Sequence, residues 1–248
     1  MPRLTDLSLL LVLVASLVVG LRLLWRARRT GALPELLFGL AFATGAIGSA
    51  GGQMGQRMWW NEPGLLATVL NASAFGLVLV GTCLLYTVVW QVFRPDRTWA
   101  AALAIAGSGM ALLGFAIRAL TGDFSAVTVE SPGMAIFQGS RIVLFGWSAL
   151  EAFRCYALLR RRIRLSLADP LAAAQVLLWG VSGLAMLLFT ATVVAAIFVY
   201  HVHPLALPGG VLLVTLATLT ASVSMWCAFF PPAFLGRLFA DGREVPAA

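Results

Sequence analysis

The chain has 248 residues, of which 60% are hydrophobic and 11% are charged, and its mean hydropathy is +0.93. A soluble globular protein of this composition would have more apolar surface than it could bury, so that class is excluded. The formal net charge of +7 reflects 17 basic against 10 acidic residues, and every basic residue is an arginine.

Seven apolar segments, each long enough to cross a bilayer, occupy nearly the whole chain. A helix needs about 20 residues to cross roughly 30 Å of hydrocarbon. The segments are continuous rather than alternating, which indicates helices rather than strands. We therefore predict an all-α integral membrane bundle, a single domain of residues 1–248, with transmembrane helices at 7–25, 33–55, 64–93, 98–120, 133–159, 170–200 and 206–230.

The first segment has the position of a secretory signal peptide but not its flanks. Asp6 offsets the charge of Arg3, no Ala-x-Ala cleavage site closes the apolar run, and an arginine cluster follows at residues 22–29. These features indicate that the segment is retained as the first helix.

Glycines recur through helix 2 and form overlapping small-xxx-small pairs, such as Gly48 with Gly52 and Gly51 with Gly55. Small residues let the backbones of neighbouring helices approach closely. We expect these glycines to pack inside the bundle. The alternatives are a dimer interface or a ligand lying against bare backbone.

Polar side chains from helices 2 to 5 converge on one layer near the predicted outer ends of the helices. They are Gln53, Asn71, Arg118, Gln138 and Arg141. Because a charge at the bilayer centre costs at least about 2.5–3.5 kcal/mol on insertion scales, such residues are the first candidates for function. We predict an outward-facing ligand pocket in which Arg118 and Arg141 hold a carboxylate or phosphate, since a guanidinium presents parallel donors to both.

A structural role for these two arginines is the alternative. They would then extend toward the membrane surface, or pair with Asp123, Glu130 or Glu62 in the outer loops. The two interpretations differ in whether the guanidinium groups face the interior of the bundle.

Several other polar or aromatic residues within the helices are expected to be structural. Glu35 suits the positive end of the helix 2 dipole, and Glu151 can pair with Arg154 one turn later. A protonatable Glu151 facing the bundle would instead serve as a switch. Trp147 and Trp179 are expected in the core, with a pocket wall as the alternative.

The sequence offers no set of residues for catalysis or metal binding. His201 and His203 are two residues apart and do not share one face of a helix or strand. The cysteines fit no metal motif and imply no disulfide framework; they are Cys83, Cys155 and Cys227. We expect no enzymatic activity, no cofactor and no metal site.

The end of the chain carries an amphipathic pattern after Pro232. Phe234 with Leu238, and Leu235 with Phe239, form i, i+4 pairs on one helical face. This pattern predicts a short helix at about residues 232–240 that lies on the membrane surface.

Arginines concentrate at one end of the predicted bundle and thereby fix its orientation. Because cytoplasmic loops are enriched in arginine and lysine, we predict an N-terminus outside and a C-terminus in the cytoplasm. The net charge then reflects topology and contact with anionic lipids rather than nucleic-acid binding. Of the 17 basic residues, 13 belong to this end: Arg22, Arg26, Arg28, Arg29, Arg94, Arg97, Arg154, Arg160, Arg161, Arg162, Arg164, Arg237 and Arg243.

Seven helices with the N-terminus outside, followed by a short amphipathic helix, resemble the layout of G-protein-coupled receptors and microbial rhodopsins. The resemblance is one of topology. Residues 91–94, after helix 3, are Gln-Val-Phe-Arg rather than Asp-Arg-Tyr, and helix 7 contains no Asn-Pro-x-x-Tyr. Without any lysine the chain cannot form a retinal Schiff base.

A three-one-three arrangement of helices also resembles sugar and vitamin transporters of the SWEET and PnuC kinds. Arginine clusters precede Pro34 and Pro170, and Pro63-Gly64 with Cys83 parallels Pro208-Gly209 with Cys227, although the prolines are 29 residues apart in the first half and 38 in the second. This pattern would be an internal parallel repeat of helices 1–3 and 5–7. The prolines lie only at helix boundaries and in the tails, however, whereas many transporters build their sites from broken helices.

Taken together, the sequence favours a receptor-like, sensory or scaffolding bundle that binds a small anionic or lipidic ligand from the outside. Its short loops supply no output domain, so we expect a cytoplasmic or membrane protein partner. A transporter, or transporter subunit, for a small anionic or amphipathic solute is the alternative. Abundant Ala, Leu, Gly and Arg with no Lys suggest a GC-rich bacterial genome and hence a bacterial inner membrane.

Overall fold

The computed structural model describes residues 2–58, 64–124 and 131–232, with the side chains of residues 2, 3 and 55–58 left aside. Within these ranges the chain is helical and contains no strand. Seven α-helices are long and apolar enough to cross a membrane, as predicted. They are α1 (Pro2–Thr30), α2 (Leu33–Met58), α3 (Leu65–Phe93), α4 (Thr98–Thr121), α5 (Pro132–Arg164), α6 (Pro170–Val194) and α7 (Gly210–Phe229), and a π-helical turn (Ala195–Val199) extends α6.

Several predicted helix boundaries differ from those observed. Helix α1 begins at Pro2, five residues before its predicted start, and α2 ends at Met58, three residues after its predicted end. Helices α1 and α5 run five residues further at their C-terminal ends, because their terminal arginines are good helix formers. Helix α7 begins at Gly210 instead of residue 206, since Gly209 adopts a left-handed conformation with φ of 74°. The predicted surface helix at 232–240 and the acidic residues Glu62 and Glu130 lie outside the described residues.

The starts of α5 and α6 follow local capping rules. The hydroxyl of Ser131 accepts a hydrogen bond from the amide of Met134 at 3.1 Å, and Pro132 occupies the first turn of α5. Asp169 caps α6 in the same way through the amide of Leu171 at 2.9 Å, ahead of Pro170. Proline at the first helical position lacks an amide that would be unpaired there, so these boundaries are specified by the sequence.

Six of the seven helices form a closed ring. Going around it, the order of helices is α1, α2, α3, α5, α6 and α7, with the contact between α3 and α5 the smallest, and α7 packs back on α1. Helix α4 stands outside this ring, in the groove between α3 and α5. The ring therefore consists of two groups of three consecutive helices, with α4 connecting them.

The seam between α1 and α7 closes the ring through hydroxyl groups. Thr218 Oγ1 donates to Ser8 Oγ at 2.8 Å, and Thr5 Oγ1 and Thr215 Oγ1 lie 2.9 Å apart. Hydrogen bonds between helices within a membrane contribute about 0.6 kcal/mol on average, because the unfolded helices also find partners in the bilayer. The seam thus orients the two helices more than it stabilises them.

Replacing Thr218 by valine, which has nearly the same shape, should lower the free energy of unfolding by about 0.6 kcal/mol and by no more than about 1.7 kcal/mol. Denaturation by sodium dodecyl sulphate in mixed micelles measures this change. Thr192→Val is the matched control, because the Thr192 hydroxyl bonds only Leu188 O of its own helix. Equal losses in the two variants would contradict a role for the seam.

Helix α4 is attached to the ring by a buried tyrosine. The hydroxyl of Tyr86 donates to the Ser140 carbonyl at 2.6 Å, and Ser140 Oγ donates to the Gly107 carbonyl at 2.8 Å. The tyrosine ring fills the space where Gly107 would carry a side chain, since a Cβ there would lie 2.2 Å from it. Trp147 packs in the same cluster. Trp147 is therefore a core residue, as expected.

The two halves of the ring end in the same sequence pattern. Trp-x-x-Phe-x-Pro occurs at residues 90–95, where α3 ends, and at residues 226–231, where α7 ends. In both, the amide of the residue four after the tryptophan donates to the tryptophan carbonyl, at 2.9 Å and 2.7 Å. Pro34 and Pro170, at the starts of α2 and α6, each precede the proline of this pattern by 61 residues. If α1, α2 and α3 are exchanged with α5, α6 and α7, respectively, each helix of the ring still has the equivalent helices as its neighbours.

Candidate ligand-binding cavity

A cavity of about 480 Å³ occupies the centre of the ring. All six ring helices contribute to its wall, whereas α4 contributes only Arg118, followed by Asp123 and Phe124 just beyond the helix. Small-molecule sites commonly have volumes of about 300–1,000 Å³, so this cavity has room for a small ligand.

The five residues singled out from the sequence all line this one cavity: Gln53, Asn71, Arg118, Gln138 and Arg141. They come from four different helices and lie toward the end of the bundle at which α2 ends and α3 begins. We call this end the polar end of the cavity. The structure thus brings the predicted layer together; the binding role assigned to it stays a prediction.

Arg118 faces the interior of the bundle and is only 9% exposed. Its guanidinium carbon lies 4.6 Å from the centre of the Phe75 ring and 4.9 Å from that of Phe124. Nη2 donates to the backbone carbonyl of Asp123 at 3.3 Å, and Nη1 lies 3.6 Å from the sulphur of Met134. Its Nε is buried without a hydrogen-bond partner among the described residues. Arg118 is therefore near Asp123, as the structural alternative anticipated, but it does not extend to the surface.

Arg141 has weaker polar contacts. Its Nη1 donates to Gln138 Oε1 at 3.2 Å, and its guanidinium carbon lies 5.5 Å from the centre of the Phe145 ring. Among the described residues it forms no ion pair with a carboxylate. A neutral amide satisfies hydrogen bonds but does not balance the charge.

The amides at the polar end have different surroundings. Asn71 Nδ2 donates to the Phe124 carbonyl at 3.3 Å, so this side chain ties the segment after α4 to α3. Gln138 accepts from Arg141 and is 5% exposed. Gln53 lines the cavity wall on α2. Asn71 thus positions the loop that carries Phe124, which in turn covers Arg118.

The opposite half of the cavity is apolar and aromatic. The indole of Trp179 packs edge-to-face against Phe38 and Phe42, with ring centres 5.0 and 5.8 Å apart. Its Nε1 donates to Ser148 Oγ at 3.0 Å, so the ring is oriented by its one polar atom. Both Trp179 and Met225 line the cavity. For Trp179 the pocket-wall alternative therefore describes the structure.

The glycines of α2 divide into two kinds. A Cβ on Gly48 would lie 2.5 Å from the carbonyl oxygen of Ala74, so this residue serves close packing of α2 on α3, as expected. A Cβ on Gly45 or Gly52 would meet nothing within 4 Å, and both residues line the cavity. Bare backbone therefore faces the cavity at two turns of α2. Their seven-residue spacing, which places them on one helical face, was the available signal in the sequence.

An ionic cluster joins α3 and α5 at the arginine-rich end. Glu151 is 3% exposed; its Oε2 lies 2.9 Å from Nε and 2.9 Å from Nη2 of Arg94, and its Oε1 lies 3.4 Å from Nη1 of Arg154. The pair with Arg154 was expected from the spacing. The closer partner, Arg94, is 57 residues away in sequence and had not been assigned to it.

Glu35 begins α2, as predicted, and also bonds the end of α1. One carboxylate oxygen lies 2.7 Å from Arg26 Nε, and the other accepts from Thr30 Oγ1 at 2.7 Å. This contact holds the short α1–α2 connection.

Among the described residues, no three or more His, Cys, Asp and Glu side chains come together in a way that could hold a metal ion. His203 Nδ1 accepts from the amide of Leu205 at 3.3 Å in the turn that follows α6. Comparison of the chain with protein-family models, with curated proteins and with solved structures finds no match.

Proposed function

We propose that the protein is a receptor-like membrane protein that binds a small ligand in its central cavity and passes the occupancy of that cavity to a protein partner. The observation that carries this proposal is the single cavity that joins a polar end containing Arg118 and Arg141 to an aromatic end at Trp179. A large apolar pocket with a few convergent polar groups is the usual form of a small-molecule site.

The proposed setting is a bacterial inner membrane, with the polar end of the cavity outside and the opposite end in the cytoplasm. This orientation rests on the positive-inside bias. Arginines at the ends of α1, α3 and α5 and at the start of α4 would then contact anionic lipid headgroups. Entry of the ligand would be from the outer side, through the polar end.

Helix α5 provides a route between the two ends. It carries Arg141 on the cavity wall and Glu151 in the ionic cluster, ten residues apart and thus about 15 Å along the helix axis. A ligand that moves α5 relative to α3 would alter the contact between Glu151 and Arg94. The partner would bind at that end, where α3 and α5 meet.

A transporter of a small anionic or amphipathic solute is the second candidate. It is favoured by the 61-residue spacing that Pro34 and Pro95 share with Pro170 and Pro231, and by the repeated Trp-x-x-Phe-x-Pro pattern in the two halves of the ring. Transporters are often built from two such repeats, with the substrate bound between them. Counterflow in proteoliposomes distinguishes the candidates, because a receptor gives no substrate-dependent flux.

Filling the cavity tests the proposal of a ligand site directly. Gly45→Leu and Gly52→Leu place side chains in the cavity where no neighbouring atom lies within 4 Å, so we expect normal folding and loss of bound ligand. Native mass spectrometry of protein extracted gently from its own membrane measures stoichiometric adducts. Gly109→Leu is the matched control, because Gly109 has equally open surroundings on α4, outside the ring.

An adduct that is present in the wild type and in Gly109→Leu, but absent from both cavity variants, supports the site. An adduct that survives in all variants, or a wild type without any adduct, contradicts it. The partner is tested separately, by crosslinking from exposed positions between residues 160 and 164 at the end of α5.

A further inference from the structure

We propose that the ligand of this cavity is an amphipathic monoanion, with one acidic headgroup bound at Arg141 and one aliphatic chain that extends to Trp179. This inference rests on the proposed function, since it names the chemical class of ligand for the same site. It follows from the charge of the wall, the free hydrogen-bonding capacity of Arg141, and the division of the cavity into polar and apolar halves.

The described cavity wall has a formal charge of +1. Its ionisable residues are two arginines, Arg118 and Arg141, and one carboxylate, Asp123. In a low-dielectric site one uncompensated positive charge favours a single negative charge on the ligand, whereas a dianion or a cation would leave net charge buried. The wall is therefore suited to a monoanion.

Arg141 is the better site for the headgroup. Arg118 lies close to both Phe75 and Phe124 and already donates to the Asp123 carbonyl. Within the part of the chain that the structure describes, Arg141 donates one hydrogen bond, to Gln138. A guanidinium has five N–H donors, so Arg141 retains donors whose hydrogen bonds a carboxylate or a phosphate diester, both monoanions, can accept.

The half of the cavity opposite its polar end has a size and a lining that favour an apolar tail on the ligand. Arg141 and Ser148 lie seven residues apart on α5, a distance of about 10 Å along the helix, and Ser148 bonds Trp179. The cavity wall also carries Phe42 on α2, which packs against Trp179, and Met186 on α6. A compact hydrophilic anion would leave this half without favourable contacts, whereas a medium-length hydrocarbon chain fills it.

Bare backbone on α2 fits such a chain. Gly45 and Gly52 face the cavity without side chains, which widens it along the direction from the polar end to Trp179. A methylene chain needs close apolar contact but no hydrogen-bond partner, and helical glycines, whose amides are paired within the helix, offer such a surface.

Terminally brominated octanoate is the probe that tests this inference, because bromine quenches tryptophan fluorescence on contact. The full chain is placed in nanodiscs of phosphatidylcholine, which contain no anionic lipid, and the probe is titrated. We expect saturable quenching that is lost in Trp179→Phe, and an affinity at least about tenfold weaker in Arg141→Gln. Arg97→Gln, at the opposite end of the bundle, should leave the affinity unchanged.

Probes with the same hydrocarbon chain but different headgroups test whether binding depends on the negative charge or on the chain alone. The brominated alcohol and amine of the same length should bind at least about tenfold more weakly than the carboxylate, because they lack the charge-assisted hydrogen bond. Equal binding of alcohol and carboxylate overturns the inference. Saturable quenching that persists in Trp179→Phe also overturns it, since the tail would then lie elsewhere.

Two further measurements distinguish a membrane lipid from an external solute as the ligand, and distinguish failure of the ligand class from failure of the proposed function. Displacement of octanoate by phosphatidylglycerol in the nanodisc would identify a membrane lipid as the source of the monoanion, and no displacement would identify a solute from outside. If no brominated probe binds but a native adduct is still lost in Gly45→Leu, the ligand class is wrong and the cavity site stands. If both are absent, the proposed function itself fails.

Discussion

Replacing Gly48 by leucine is expected to prevent α2 from packing on α3 and to destabilise the folded bundle by more than about 3 kcal/mol. A Cβ at this residue would lie 2.5 Å from Ala74 O, 2.8 Å from Val78 N and 2.9 Å from Leu77 Cβ. Two of these atoms belong to the backbone of α3, which cannot move without separating the helices. Overpacking against flexible side chains costs less, because a rotamer change relieves it.

The expected result is a sharp fall in folded monomer on size-exclusion chromatography and a lower midpoint in denaturation by sodium dodecyl sulphate. Gly45→Leu is the matched control, one turn away on the same helix, with nothing within 4 Å of its Cβ. This control should fold normally while losing the cavity ligand. If Gly48→Leu were as stable as Gly45→Leu, the close crossing of α2 and α3 would be wrong.

Replacing Glu151 by glutamine is expected to lower the free energy of unfolding by about 2 kcal/mol. Breaking a fully buried ion pair costs about 3–5 kcal/mol, but the side chains of Arg94 and Arg154 are 34% and 55% exposed, so solvent reduces the loss. Thermal unfolding followed by tryptophan fluorescence in detergent measures the change. The fall in stability should be accompanied by separation of α3 from α5, because the ionic cluster joins these two helices.

The two arginine partners provide an internal comparison. Arg94→Gln should cost nearly as much as Glu151→Gln, because it leaves a buried carboxylate with one longer contact to Arg154. Arg154→Gln should cost less than about 1 kcal/mol, since this contact is 3.4 Å long and more exposed. Equal effects of the two arginine variants would show that the cluster does not have the observed geometry.

The candidate site was predictable in part. Gln53, Asn71, Arg118, Gln138 and Arg141 stand out because polar groups are rare in such apolar helices, and the structure gathers them on one cavity wall. The inner half of the cavity could not be identified in the same way. Apart from Trp179 and Ser148, its residues are mainly phenylalanine, methionine and leucine, which are equally suited to the core, to a pocket wall and to contact with lipid.

Because these residue types suit several environments, similar residues lie in different places in the structure. Trp147 lies in the core and Trp179 on the cavity wall, although both are intramembrane tryptophans. Gly48 packs against α3 whereas Gly45 faces open space, although they are three residues apart. These outcomes depend on how far each helix is rotated about its own axis, which its neighbours determine.

The sequence by itself determined the seven helices and most of their ends, because the length of an apolar segment and its capping residues are local properties. Only the tertiary structure decided that six helices close a ring around a cavity, that α4 stands outside it, and that Arg94 is the closer partner of Glu151. The physical reason is that lipid is as apolar as the protein core. Hydropathy therefore identifies a membrane helix but does not indicate which of its faces turns inward.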